Sequence, residues 1–195
     1  MQAKANNSFH ETFVISRRTP IFAPSFSKKA GNNPSKAMTT NINMDKQQHY
    51  ESFLPTLKAL IEGVGEEVSV MANVAAALHD EFRWFWTGFY RVKDHQLILG
   101  PFQGPVACYT IPFGRGVCGT AWEQQATVVV RDVHEFPGHI ACSSLSRSEI
   151  VVPVKDAEGR VRAVLDIDSK EVGTFDAIDQ EYLEKAMLLM AAELY

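Results

Sequence analysis

The sequence predicts an α+β domain: a central, mostly antiparallel sheet of about six strands, flanked by N- and C-terminal helices. Three observations predict it. Apolar residues recur at three- and four-residue intervals before residue 83 and again after residue 174, a helical period. Between those limits they come in short β-branched and aromatic runs, such as WFWTGFYRV, VVV and EIVVPV. Turn chemistry such as Asp94-His95 separates the runs and folds neighbours back on each other.

In chain order, Asp45 is placed to cap a helix beginning near Lys46, with Tyr50, Phe53, Leu54, Leu57, Leu60 and Ile61 on one stripe. Pro55 falls inside the stripe and predicts a kink or an early end. Gly63 and Gly65 break the pattern. A second helix runs from about Glu66 to Phe82, with Val68, Met71, Ala72, Ala75, Leu78 and Phe82 on one face. Strands are expected at 84–92, 96–102, 107–111, 128–130, 148–154 and 161–167. Gly114-Arg115-Gly116 is a tight loop, and Cys118 begins a short helix. The closing helix starts after Thr174, with Asp176 and Asp179 in its first turns, and carries Leu183, Met187 and Met190.

The 195 residues suit one domain with some extra sequence. A hydrophobic share of 46% with 22% charged residues is that of an ordinary globular protein. No apolar run is long enough to span a membrane. A net charge of −4 argues against a general nucleic-acid binder. Residues 1–43 carry six basic side chains and one acid, while the remainder holds 13 Lys and Arg against 22 Asp and Glu. This leader is rich in Asn and Ser, contains Pro20, Pro24 and Pro34, and reads as disordered. It is either a transit peptide or an over-long start, with translation beginning at Met38 or Met44. The folded domain is then 44–195.

Cys108, Cys118 and Cys142 are an odd number, ten and twenty-four residues apart, with no CxxC pair. A closed set of structural disulfides is ruled out, and intracellular thiol chemistry becomes a serious reading. Cys142 follows Gly138-His139-Ile140-Ala141 and precedes Ser143-Ser144, so it sits on a polar loop, either as an accessible thiol or as a small buried hydrophobe. Two rival arrangements use the same residues. Cys108, Cys118, His139 and Cys142 make up a Cys3His zinc set, and Cys142 with His139 or His134 a hydrolase pair. Glu149, Asp166 and Asp168 stand inside apolar strands, the last two on one face. Crowded carboxylates raise each other's pKa, which keeps one protonated near neutrality as an acid. Trp86 and Tyr90, four apart, also share a strand face.

WxGFY, LGPFQG, ACxxIPxGRGVCG, GHIAC, SEIVxP and VLDIDS occur in this order from Trp86 to Ser169. The ordered set resembles the free methionine-R-sulfoxide reductases, a GAF-domain family, over about Gln47 to the C-terminus. The resemblance implies reduction of free L-methionine-R-sulfoxide by an enzyme recycled by thioredoxin, with no bound cofactor. It makes Cys142 the nucleophile. Cys108 is the first candidate for the resolving thiol, which requires Cα atoms about 4.4–6.8 Å apart. Cys118 is either a second candidate or a packed residue. The resemblance places Glu149, Asp166 and Asp168 around the substrate and makes Trp86 and Tyr90 walls for its S–CH3 end. The backbone N–H groups of Gly116 and Val117 are candidates for the substrate carboxylate, with Arg115 assisting. Members of the family are commonly homodimers, and a thioredoxin-recycled enzyme belongs in the cytoplasm. A GAF-type ligand sensor, or a zinc module without catalysis, is the alternative.

Overall fold

The computed structural model describes residues 34–140 and 142–195. Helix α1 (Pro34–Ile61) begins earlier than expected, so Asp45 lies within the helix and is not its cap. Proline at the first helical position explains the start, because its fixed φ is already helical and its missing N–H is not needed there. Of the expected leader, residues 1–33 lie outside the described residues, and 34–43 are helical. Pro55 does not end α1: it lies on the exposed side, where the carbonyl it leaves unpaired can face water. Tyr50, Phe53, Leu57 and Ile61 are buried, whereas Leu60 is exposed.

Helix α2 (Glu67–Phe82) starts at a Glu66 cap that accepts from the backbone of Val68 and Ser69. Its buried stripe is Val70, Met71, Val74, Ala75 and Leu78. Val68, expected on that face, is exposed, because the stripe is rotated toward Val70 and Val74. Helix α4 (Ala177–Leu194) opens with a capping box between Asp176 and Asp179. Asp179 is buried there, and its carboxylate accepts from Tyr50 Oη at 2.8 Å and pairs with Lys46, which fastens α1 to the start of α4.

The six strands are β1 (Trp86–Lys93), β2 (Gln96–Gln103), β3 (Thr110–Pro112), β4 (Val128–Val130), β5 (Ser148–Lys155) and β6 (Val161–Ser169). They form one antiparallel sheet in the order β3-β2-β1-β6-β5-β4. Alternation along the strands divides the side chains between two faces. Phe89, Ile150, Val152, Leu165 and Ile167 join α1, α2 and α4 in the larger core. Trp86, Tyr90, Val151 and Val164 pack on the other face with α3 (Gly116–Gln124). Since both faces are covered, the strands read as nearly continuous apolar runs, and any acid within them stands out.

Candidate active site

The registers of three central strands assemble the acids. Trp86 on β1 lies opposite Asp168 on β6, and Asp168 lies opposite Glu149 on β5. The next row is Gly88, Asp166 and Val151. Gly88 has to lack a side chain: a Cβ there would stand 2.3 Å from Phe102 Cβ and 2.6 Å from the Trp86 ring. Glu149 and Asp166 are buried, Asp168 is half-buried, and Asp166 Oδ1 has no hydrogen-bond partner among the described residues.

Burial raises the pKa of all three acids. It pushes Glu149 and Asp166 well above the usual carboxylate range, and their acidic neighbours reinforce the shift. Asp168 is pushed up to about 6 by burial, partly offset by the Ser146 hydroxyl. The His139 ring nitrogen is 3.7 Å from Glu149 Oε2. Burial lowers the His139 pKa and raises that of Glu149, and both shifts weaken an ion pair between them. Cys118, in the first turn of α3, points its Sγ toward Glu149 Oε1 at 4.0 Å, and burial beside the acids holds it as a thiol.

Cys108 and Cys142 form a disulfide with Cα atoms 5.4 Å apart. Cys108 lies in the loop before β3, not in the strand expected at 107–111. The reason is a pair of long-range hydrogen bonds. Trp86 Nε1–H donates to the Pro105 carbonyl at 3.0 Å, and Tyr90 Oη–H donates to the Cys108 carbonyl at 3.1 Å. These aromatics, with ring centroids 6.1 Å apart, hold the loop away from the ladder. Cys142 is in the loop expected for it, and is exposed.

Acids, aromatics and cysteines line one open pocket. Its lining includes Trp86, Tyr90, Cys118, Cys142, Glu149, Asp166 and Asp168, with Gly116 and Val117 from the start of α3. Among the described residues no side chain caps that helix N-terminus, which leaves its first N–H groups to meet an anion. Arg115 is exposed and outside the lining. His139 and Ser146 also line the pocket. The sequence marked His139 only as a metal or hydrolase candidate and gave no sign of Ser146, whose part depends on how the loop before β5 folds back.

The rival zinc set does not assemble, because the disulfide consumes two of its thiols. A different trio, Cys118, Glu149 and Asp166, brings one ligand atom each within 4.8 Å of the others. Burial raises the pKa of all three groups, so a cation bound there would have to displace their protons.

The sequence profile of the GAF domain matches residues 66–194. "GAF domain-containing protein A" of Dictyostelium discoideum is 50% identical over 146 residues, covering 74% of this chain and 92% of that protein. The "Free methionine-R-sulfoxide reductase" of Saccharomyces cerevisiae is 39% identical over 156 residues, covering 76% and 87%. Among solved structures, the free methionine-R-sulfoxide reductase of Neisseria meningitidis in complex with its substrate is 48% identical, with a TM-score of 0.74 over 76% of this chain and 89% of that one. The sheet and its flanking helices are thus those of a GAF domain. The chain belongs to the GAF-domain family and, within it, to the free methionine-R-sulfoxide reductases.

Proposed function

We propose that the chain reduces free L-methionine-R-sulfoxide to L-methionine by cysteine chemistry and is recycled by thioredoxin in a reducing cytoplasm. The observation that carries this is the Cys108–Cys142 disulfide at a pocket lined by three acids. In the reading, the Cys142 thiolate attacks the sulfoxide sulfur while a protonated acid, Glu149 or Asp166, gives its proton to the oxygen. Methionine leaves, and Cys142 is left as a sulfenic acid. The Cys108 thiol then attacks Cys142 Sγ, expelling water and closing the disulfide. Cys118, buried and free, stays a thiol and serves as part of the pocket wall.

The same pocket suits the rest of the substrate. Trp86 and Tyr90 offer π-faces to the polarised S–CH3 group. The uncapped N–H groups of Gly116 and Val117 receive its carboxylate, and an ionised Asp168 receives its ammonium. A GAF-type sensor without catalysis would need neither the cysteine pair nor the buried acids.

The test is NADPH consumption with thioredoxin, its reductase and free methionine-R-sulfoxide. The S epimer and N-acetylated sulfoxide are expected to react poorly, and equal rates on the N-acetylated compound would sink the reading. Cys142→Ser is expected to form no methionine, because a hydroxyl is a far weaker nucleophile than a thiolate. Cys108→Ser is expected to form about one equivalent per chain and then stall as a sulfenic acid that dimedone traps. A dimedone adduct on Cys118 with a silent Cys142 would move the nucleophile to Cys118.

A further inference from the structure

Both segments that carry the disulfide are uncharged. Gln96 to Gly114 contains no Asp, Glu, Lys, Arg or His, and Phe136 to Ser146 contains no Asp, Glu, Lys or Arg, in a chain that is 22% charged. The one histidine in the second, His139, has its pKa lowered by burial. Within three residues of one or other cysteine stand Val106, Tyr109 and Leu145, which are 86%, 83% and 55% exposed. Tyr109 and Leu145 stand one and three residues from cysteines whose Cα atoms are 5.4 Å apart, and large apolar side chains this exposed beside one bond mark an interaction surface. The bond at its centre says what must meet this surface, since thiol–disulfide exchange requires a thiolate to reach one of its sulfurs in line with the S–S bond.

We propose that Tyr109 and Leu145, with Val106 at the pocket mouth, form the docking rim for a protein dithiol reductant whose own thiol lies in a neutral, apolar surface, and that its first attack falls on Cys142. This rests on the reading above, and specifies the partner's footprint and the sulfur it engages. Cys142 is exposed, whereas Cys108 is half-buried and its carbonyl is held by Tyr90 Oη. The reductant's thiolate bonds to Cys142 Sγ, the Cys108–Cys142 bond breaks, and Cys108 leaves as a thiolate that takes a proton from solvent. The reductant's second thiol, once deprotonated, attacks its own sulfur in the mixed disulfide and releases the Cys142 thiolate. Two electrons have passed to the enzyme, and the reductant carries the disulfide.

The experiment uses the full chain, thioredoxin as the probe and Tyr109→Ser, Leu145→Ser and the double variant. Neither residue lines the pocket. Turnover is driven in parallel by thioredoxin and by dithiothreitol, which needs no docking surface. The expected result for the double variant is a KM for thioredoxin raised roughly tenfold, equivalent to about 1.4 kcal/mol, with unchanged dithiothreitol-driven kcat. An unchanged KM, an equal loss with both reductants, or a switch of oligomeric state in the double variant would overturn the proposal, the last showing the rim to be a contact between copies of this chain. A second measurement uses only the unmodified oxidised chain. Thioredoxin lacking its second cysteine is expected to be trapped on Cys142 in peptide mapping, and trapping on Cys108 would overturn the assignment. Trapping requires no sulfoxide, so a chain that captures thioredoxin yet reduces no methionine sulfoxide would sink the functional reading and leave the docking rim standing.

Discussion

Leu165 and Asp168 stand three apart in β6 and face opposite sides of the sheet, and their replacement is expected to move stability in opposite directions. Leu165 is fully buried among the helices, so Leu165→Ala removes methyl groups and leaves a cavity, at a cost of about 2–5 kcal/mol. Asp166 and Asp168 are held by a site that opposes their charge. The folded-state pKa of Asp168, about 6, lies above the ordinary carboxylate value, so as pH rises the unfolded chain releases this proton before the folded chain does. Stability therefore falls as pH climbs through that window up to about 6, and stays lowered above it. Asp168→Asn removes the titration, and is expected to melt higher than the parent at pH 8 with a flatter pH profile, while losing activity by roughly 10²-fold. Glu149→Gln is expected to do the same. Thermal melts from pH 5 to 8 beside turnover rates test this, and a lower melting temperature for Asp168→Asn at pH 8 would show that the ionised group is structurally required.

At the scale of elements, the loop before β3 is positioned by β1 through Trp86 and Tyr90. Tyr90→Phe keeps the ring and removes one donor, a hydrogen bond worth about 0.5–1.5 kcal/mol. The variant is expected to form methionine at the parental rate in a single turnover but to close the disulfide several-fold more slowly, in line with that energy. A longer-lived dimedone-reactive Cys142 is the readout, and an unchanged lifetime would show that the hydrogen bond does not position Cys108. The same bonds explain why β3 was misplaced from the sequence. Ala107 to Ile111 has strand-forming residues, but carbonyls captured by side chains 18 and 19 residues away leave no mark in local spacing. The rotation of α2 has a similar origin: Val68 and Val70 are equally apolar, and only the docking of the helix on β1 and β2 chooses between them.

For the whole molecule, the sheet separates two tasks, with helices fastened on one face and chemistry gathered on the other. Much of this was legible. The paired spacing of Asp166 and Asp168, the acid in SEIVVP and the aromatics at positions 86 and 90 all obey the two-residue period of a strand, so their convergence follows once the strands are placed. What was not legible depends on how distant loops fold back. Ser146 reaches Asp168 because the segment before β5 crosses the mouth, and His139 meets Glu149 for the same reason.

The disulfide also ties together two points 34 residues apart in sequence, in the loops before β3 and β5. A cross-link of that span restricts the unfolded chain enough to contribute about 4 kcal/mol in the chain-entropy description. In the proposed cycle the oxidised form is therefore the hardier one. When reducing power runs short, the population would drift into the cross-linked form, idle but slow to melt or to be digested. When reducing power returns, each molecule would regain its chemistry and give up that protection. Thermal unfolding with and without a phosphine reductant is expected to separate the two forms by roughly 10 °C, the shift that about 4 kcal/mol produces in a domain of this size. Limited proteolysis is expected to rank them in the same order.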